Sequence, residues 1–430
     1  MSGLTSSPRV AWVNARLLDP ASGLDATGAV VVENETIVAA GPDVDVSGAR
    51  VVDCAGACLA PGLVDMRVQL REPGFDHMET MRTAGEAAVA GGVTSMVCLP
   101  NTDPPLDDEA MLEFVARRAR LVGLPKVYAY GACTVGLEGR ALAEMAIMAG
   151  SGACGFTDGV RAIADAGIMA RVLNYAATFN LLVIQHPEEP SLASGVMNSG
   201  ALATRMGLSG IPREAEIILL ERDLRLVAMT GARYHAAHIS TRESVRLIRR
   251  AKERGLPVTC DTAPFYFSLT EDAVRDYRTF AKLSPPLRSE DDRLGIVEGL
   301  REGVIDCIAS DHSPQDQDNK RQTFAAAAFG AVGLETLLPV SLELYHSGAL
   351  TLLDVVRRLS ETPARLLRLP GGRLKAGDKA DFVLFDPEAP WQVDASAFRS
   401  KSKNSPFDGR AVRGRVLTTV IDGRKVYEAC

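Results

Sequence analysis

Histidine and aspartate residues stand just after apolar segments at four places in this 430-residue chain. His186, His238 and His312 make up half of the six histidines, and Asp158 and Asp311 follow apolar runs in the same way. A lone histidine at such a position is more often structural. Neutral imidazole and carboxylate groups together, however, are the ligands of catalytic Zn²⁺ sites. If the fold brings these segment ends together, we expect a metal centre.

Other polar residues occupy equivalent positions. Arg67, Gln69 and Arg71 lie at the end of the first apolar run, and Asn101 follows the second. Two interpretations are open for Arg67 and Gln69, which either belong to a functional site or line a solvated cleft. Arg71 is either a ligand-binding residue or the partner of a nearby carboxylate.

Short apolar runs alternate with amphipathic helical stretches through the middle of the chain, which is typical of βα units and a parallel sheet. We count eight such units, the number that a (β/α)₈ barrel requires. In that fold, functional groups are expected at the carboxyl ends of the strands. After the sixth run, Ser240 and Glu243 predict a helix-capping box. The predicted strands are residues 63–70, 95–99, 127–131, 152–156, 181–185, 233–237, 258–261 and 304–310.

Both ends of the chain have a different pattern, with short strands separated by Gly, Pro, Asp and Asn. We therefore predict an α/β protein with a TIM barrel over residues 59–366. Residues 1–58 and 367–430 are predicted to form one composite β-sandwich domain.

Composition narrows the classes of function. The net charge of −7 leaves no electrostatic footprint for nucleic acid or an anionic membrane. We find no run of 18 uncharged apolar residues and expect no signal peptide in residues 1–11. The eight cysteines lack the paired spacing of metal fingers, so a cytoplasmic location is the simplest interpretation.

A series of ordered motifs resembles the dihydroorotase branch of the amidohydrolase superfamily and covers nearly the whole chain. The motifs are PGLVDM (61–66), LREPG (70–74), GGVT (91–94), PNT (100–102), FTDG (156–159), HIST (238–241), PPLR (285–288), SDHSP (310–314), GLET (333–336), GDKAD (377–381) and SPFDG (405–409). The resemblance implies a Zn²⁺-dependent hydrolase that interconverts carbamoyl-aspartate and dihydroorotate in pyrimidine biosynthesis.

The resemblance also implies roles for individual residues. Asp311 matches the catalytic acid and base, whereas Arg71 and Asn101 match groups that hold the substrate carboxylate. Asp158, His186 and His238 match metal ligands.

Four positions depart from the family pattern. Arg67 and Gln69 replace the two histidines of the first-strand H-x-H, and a guanidinium has no lone pair to give a metal. At two substrate-binding positions the family has Asn and His, where this chain has Ser284 and Gln315.

Two functions remain open from the sequence. The first is a dihydroorotase-like protein with impaired catalysis that acts as a scaffold for aspartate transcarbamoylase, as inactive members of the family do, and that forms a homo-oligomer. Arg67 would then pair with Asp158 or Asp311. The second is an active cyclic amidohydrolase with one Zn²⁺ at Asp158, His186 and His238 and with Asp311 as base. The sequence favours one zinc ion and no ion equally.

Overall fold

The structure is a computed structural model that describes residues 9–429. Residues 1–8, where no signal peptide is expected, and Cys430 lie outside the described residues. The strands are β1 (Arg9–Asp19), β2 (Leu24–Glu33), β3 (Thr36–Gly41), β4 (Arg50–Asp53), β5 (Cys58–Pro61), β6 (Leu63–Val68), β7 (Val93–Cys98), β8 (Lys126–Ala129), β9 (Leu182–Gln185), β10 (Met197–Asn198), β11 (Gly210–Ile211), β12 (Arg233–Ala236), β13 (Val258–Thr262), β14 (Cys307–Ile308), β15 (Phe382–Gln392), β16 (Ala411–Ile421) and β17 (Arg424–Glu428).

The helices lie mainly between the strands of the central region. They are α1 (Met81–Ala90), α2 (Glu109–Val122), α3 (Met145–Gly150), α4 (Ala166–Thr178), α5 (Ala201–Met206), α6 (Glu214–Thr230), α7 (Arg242–Glu253), α8 (Pro264–Ser268), α9 (Glu290–Arg301), α10 (Gln317–Lys320), α11 (Leu337–Ser341), α12 (Glu343–His346), α13 (Leu352–Leu359) and α14 (Glu361–Leu367). Within residues 9–429, no helix is long and apolar enough to cross a membrane.

The central region is a closed parallel barrel. Strands β6, β7 and β8 form one parallel group, and β9, β12, β13 and β14 form another. Phe156 joins the two groups through bridges to Gly131 and Val183, and a bridge between Val68 and His312 closes the circle. At the fourth barrel position one residue, Phe156, is bridged on both sides and no regular strand is present, although the sequence predicts a strand over residues 152–156.

Strands from both ends of the chain share one sheet. Its order is β17-β16-β15-β5-β1-β2-β3, with β4 also paired to β1. Trp12 and Phe382, which come from opposite ends of the chain, pack edge to face in its core with ring centroids 5.2 Å apart. The predicted domain boundaries remain a prediction. The division at 58/59 falls inside β5, and β5 pairs with β15 in the sheet shared by the two chain ends.

One local prediction is wrong. The N-cap of α7 is Thr241, whose side chain accepts from the Ser244 backbone N–H, and Ser240 is not the cap. Instead, the backbone N–H and the hydroxyl of Ser240 both donate to the buried Glu216 carboxylate. The Ser240 hydroxyl, which the local pattern assigns to a capping box, therefore bonds to Glu216 on α6.

Candidate active site at the barrel mouth

The carboxyl ends of the barrel strands surround a small pocket of about 200 Å³, called here the mouth pocket. It brings together nine of the eleven residues that the sequence singles out, and Asp158 and His312 are not among its lining residues. Three of its residues, Arg71, His238 and Asp311, have positive φ angles of 64°, 37° and 51°. Residues other than glycine rarely adopt a positive φ unless the surrounding structure holds them there. The predicted residues that line it are Arg67, Gln69, Arg71, Asn101, His186, His238, Ser284, Asp311 and Gln315.

Arg67 lies at the centre of the mouth pocket as an internal cation. It belongs to β6, and its side chain is 2% exposed. Its Nε donates to Asp311 Oδ1 at 2.9 Å, and its Nη2 donates to the Gly159 carbonyl oxygen at 3.4 Å. The sequence left Asp158 and Asp311 open as partners for Arg67, and the structure selects Asp311.

The two candidate histidines form a hydrogen-bonded chain with Asp311. His238 Nδ1 lies 3.0 Å from Asp311 Oδ2, and His238 Nε2 lies 2.7 Å from His186 Nδ1. Because the carboxylate can only accept, we assign the proton to His238 Nδ1, so His238 Nε2 accepts from His186. Burial alone would raise the pKa of Asp311, but His238 and Arg67 together hold it well below its usual range. Burial and the charge of Arg67 lower the pKa of His238.

Asp158 is hydrogen-bonded to the loop at Cys133 and Thr134. Its Oδ1 accepts from the backbone N–H groups of Cys133 and Thr134, both at 3.0 Å. Its Oδ2 accepts from the Thr134 hydroxyl at 2.5 Å. Burial raises the pKa of Asp158, although these hydrogen bonds oppose that shift. Both oxygens that would hold a metal are therefore used to fix a neighbouring loop.

Gln69 links Asn101 to Ser313. Its Oε1 accepts from Asn101 Nδ2 at 3.0 Å, and its Nε2 donates to Ser313 Oγ at 2.9 Å. Arg71 donates to the Pro314 carbonyl oxygen at 3.1 Å. Burial lowers the pKa of Arg71 to about 10. The family pattern assigns the Asn101 amide to the substrate carboxylate, but in this structure that amide donates to the Gln69 side chain.

Ser284 and Gln315 also have protein partners. Ser284 Oγ donates to Glu188 Oε2 at 3.1 Å, and Gln315 Nε2 donates to the Phe329 carbonyl oxygen at 2.8 Å. Sequence reasoning missed Glu188, which also lies 3.4 Å from His186 Nε2. It missed Ser313 as well, although that residue directly follows the Asp311–His312 pair. In both cases the usable signal was a polar residue within two positions of a predicted site residue.

His312, by contrast, belongs to a separate cluster. Its Nδ1 accepts from the Gly333 backbone N–H at 3.2 Å, and its Nε2 lies 3.5 Å from Glu79 Oε2. Neither nitrogen is directed at the mouth pocket. Its position after the last barrel strand therefore has a structural role.

The side chains present do not fit a metal ion. Within residues 9–429, no three His, Cys, Asp or Glu side chains are grouped in a way that could hold one. Arg67 places a positive charge beside Asp311, and a guanidinium both repels a cation and lacks a lone pair to bind it. His186 and His238 bond to each other instead of converging on a common point.

Comparison with known proteins identifies the family. A "Dihydro-orotase-like" family model matches residues 56–244, and an "Amidohydrolase family" model matches residues 295–427. The chain is 45% identical to a dihydroorotase from Anaplasma phagocytophilum (strain HZ), with 98% of this chain and 95% of that protein covered. This chain belongs to the dihydroorotase family. A dihydroorotase from Syntrophotalea carbinolica is 44% identical to this dihydroorotase-family chain, with 97% and 99% covered.

Solved structures agree with the fold of this dihydroorotase-family member. L-hydantoinase from Arthrobacter aurescens has a TM-score of 0.87 and 28% identity, and the match covers 97% of this chain and 96% of that one. Dihydropyrimidinase from Brevibacillus agri has a TM-score of 0.83 at 23% identity, over 98% and 95% of the two chains, and shows the fold alone. The predicted fold class, a TIM barrel with a β-sandwich domain, is confirmed.

Proposed function

We propose that this protein is a catalytically impaired dihydroorotase-family member of pyrimidine biosynthesis, with an ion pair in place of the metal centre. The observation that carries the proposal is the buried contact between Arg67 and Asp311 at 2.9 Å. A general base must be free to take a proton and must have a pKa near the working pH. Asp311 accepts from Arg67 and from His238, and both contacts hold its pKa low. It is therefore a poor proton acceptor.

Charge balance explains why the site is stable without an ion. A buried carboxylate without a cation is costly, and removal of one partner of a buried pair exposes that cost. Arg67 balances Asp311, and Glu188 lies beside His186 at the other end of the chain of hydrogen bonds. Gln69 in turn satisfies Asn101 and Ser313. Arg67 and Gln69, which stand where the family pattern has histidines, therefore each have protein partners in the site.

A scaffold role is the second part of the proposal. We propose that the protein forms a homo-oligomer and binds aspartate transcarbamoylase, as the family resemblance implies. The support is that the barrel is complete while Arg67 and Gln69 stand at the first-strand positions and Asp158 is bonded to the backbone at Cys133. Gel filtration of the two purified proteins should give a joint peak at an earlier elution volume. Separate elution at micromolar concentrations of both would contradict the scaffold role.

The alternative is an active amidohydrolase that uses one Zn²⁺ at Asp158, His186 and His238 with Asp311 as base. The adjacent histidines in the mouth pocket favour it. For that site to form, Asp158 would have to leave three hydrogen bonds and the two rings would have to separate. Zinc bound at less than about 0.1 equivalent after growth with zinc would exclude it, because catalytic sites bind zinc far more tightly.

The deciding experiment restores the first-strand ligands. Dihydroorotate hydrolysis is measured for zinc-loaded wild type, for Arg67→His with Gln69→His, and for a control with Arg67→Asn and Gln69→Asn. The control removes the guanidinium without adding imidazole groups. Zinc binding or activity that appears only in the histidine variant supports the impaired-site proposal. Hydrolysis by the wild type with about one equivalent of bound zinc would establish the one-metal alternative.

A further inference from the structure

A second cavity lies outside the mouth pocket and shares no lining residue with it. This cavity, called here the side cavity, has a volume of about 460 Å³ and lies between the end of α1, the segment around Glu335 and the sheet formed by both chain ends. Ligand pockets are typically about 300–1,000 Å³ and are found preferentially where domains meet. Neither the family resemblance nor the proposed function assigns a role to the side cavity.

Aromatic side chains form much of its wall. Trp391, Phe398 and Tyr427 line the side cavity together with Pro339. Trp391 Nε1 donates to the Gly414 carbonyl oxygen at 2.8 Å, which fixes the plane of the indole. The Arg399 guanidinium already lies over the Tyr427 ring, 5.4 Å from its centroid. The walls therefore accept a flat cationic group, as a cation over an aromatic face is attracted by the ring electrons.

Glu335 lines the side cavity with its carboxylate side chain held from one side by the backbone. Its Oε1 accepts from the backbone N–H groups of Arg399 and Ser400 at 2.8 and 3.1 Å. Among residues 9–429, Glu335 has no ion-pair partner, and we find no donor to its Oε2. Burial raises the pKa of Glu335 to about 7, although the two backbone hydrogen bonds and the charges of Lys403 and Arg399 oppose the shift.

One carboxylate of the side cavity favours a cationic ligand. Glu335, Asp394 and Glu428 line it, against Arg399 and Arg415. Glu428 is paired with Lys425 at 2.6 Å, and in the described part of the chain Glu335 and Asp394 have no ion-pair partner. An anionic ligand would have to approach Glu335, whereas a cation would provide the partner that this carboxylate lacks.

We propose that the side cavity binds a small planar organic cation of the amidinium or guanidinium class. Its flat apolar part packs against Trp391, and its N–H groups donate to Glu335. Paired N–H donors match the two oxygens of a carboxylate and give short, charge-assisted hydrogen bonds. The proposal concerns a site separate from the mouth pocket and does not depend on whether the protein hydrolyses dihydroorotate.

The test uses benzamidine as the probe and the Trp391 indole N–H resonance as the signal. The chain has only two tryptophans, and a Trp391→Phe variant assigns the two resonances. We expect a saturable shift of the Trp391 resonance with a Kd of about 1 mM or tighter. Glu335→Gln keeps the side-chain shape without the charge and should weaken binding at least about ten-fold, or about 1.4 kcal/mol. Benzyl alcohol, which has the ring but no cation, should bind more weakly than benzamidine.

The pH dependence provides a second measurement that does not need a folded variant. Binding should be tighter at pH 8 than at pH 6, because benzamidine requires the ionised form of Glu335. The other charged groups near Glu335 are Asp394, Arg399, Lys403, Arg415 and Glu428. No saturable shift up to about 10 mM, affinity independent of pH, or tighter binding of benzoate than of benzamidine would overturn the proposal.

Discussion

Arg67 places a fixed positive charge at the barrel mouth, where the family pattern has the first histidine of H-x-H. The contact with Asp311 joins residues that are 244 positions apart in the sequence. Guanidinium groups suit such a position because they stay charged at any relevant pH and donate through several fixed N–H groups. One substitution thus removes a metal ligand and replaces the charge that the metal would supply.

Replacement of Arg67 by Met should lower the free energy of unfolding by about 3–5 kcal/mol, because Asp311 then stays buried without a cation. Arg67→Lys is the control that keeps the charge, and it should cost less. Urea unfolding at pH 7 measures both. A loss below about 1 kcal/mol for Arg67→Met would show that the ion pair does not support the mouth pocket.

The same pair predicts a pH dependence. The pKa of Asp311 is depressed in the folded state, so its contribution to stability is complete above the unfolded value of about 3.9 and decreases as pH falls below it. Unfolding between pH 5 and 2.5 should therefore show a shallower loss of stability in Arg67→Met than in wild type. Equal slopes in the two proteins would contradict the assigned cause of the low pKa.

At the scale of elements, two buried lysines join the loops on one side of the mouth pocket. Lys320 Nζ donates to the carbonyl oxygens of Thr279 and Ala328 at 3.0 and 2.7 Å. Lys282 Nζ donates to the carbonyl oxygens of Phe324 and Ala325, both at 2.9 Å. In the described part of the chain neither lysine has a carboxylate partner. Backbone carbonyls therefore hold both charges, at a cost in desolvation. Lys282 Nζ also lies over the rings of Phe324 and Phe329, 5.6 and 4.5 Å from their centroids.

Lys320→Met should alter how stability depends on pH. Burial lowers the pKa of Lys320 to about 7, against about 10.4 in an unfolded chain. Between these values the unfolded state binds more protons, so this residue makes wild-type stability rise with pH. Thermal unfolding from pH 7 to 10 should show that rise reduced in Lys320→Met. The exposed Lys425→Met should behave like wild type, and identical pH profiles for all three proteins would refute the effect.

The corrected cap of α7 gives another element-scale prediction. Thr241 caps the helix through the Ser244 N–H and also donates to Glu216. Thr241→Ala should therefore destabilise the protein by about 1–2 kcal/mol. Glu243→Ala should be close to neutral, because Glu243 pairs only with Arg246 near the surface. Chemical denaturation of both variants checks the assignment, and a larger loss in Glu243→Ala would restore the capping box.

At the scale of the whole molecule, the two ends of the chain complete the barrel as well as their own sheet. Strand β5 lies between β1 and β15. Residues after β15 reach the mouth, where Asn404 Nδ2 donates to the Gly330 carbonyl oxygen at 3.0 Å. Gly330 itself lines the mouth pocket. The C-terminal segment is thus part of the structural support of the site.

A chain that ends at residue 379 should fail to fold cooperatively, because it loses β15, β16 and β17. The edge of β5 is then exposed with the buried Cys58 and Leu59, whose partners on β15 are Phe385 and Leu384. The control ends at residue 422 and loses only β17, which pairs with β16 alone. Circular dichroism during heating should show one sharp transition for the control. A sharp transition in the shorter chain would mean that the barrel folds without the composite sheet.

The sequence by itself determined the barrel, the sharing of strands between chain ends, the family and the altered first-strand positions. These follow from local periodicity and from ordered motifs, which are readable without coordinates. The tertiary structure decided that Arg67 pairs with Asp311, that Asp158 bonds to the loop at Cys133 and Thr134, and that Ser240 serves Glu216. Partner choice among buried polar groups depends on which side chains the fold brings within about 3 Å, and this is a property of distant segments.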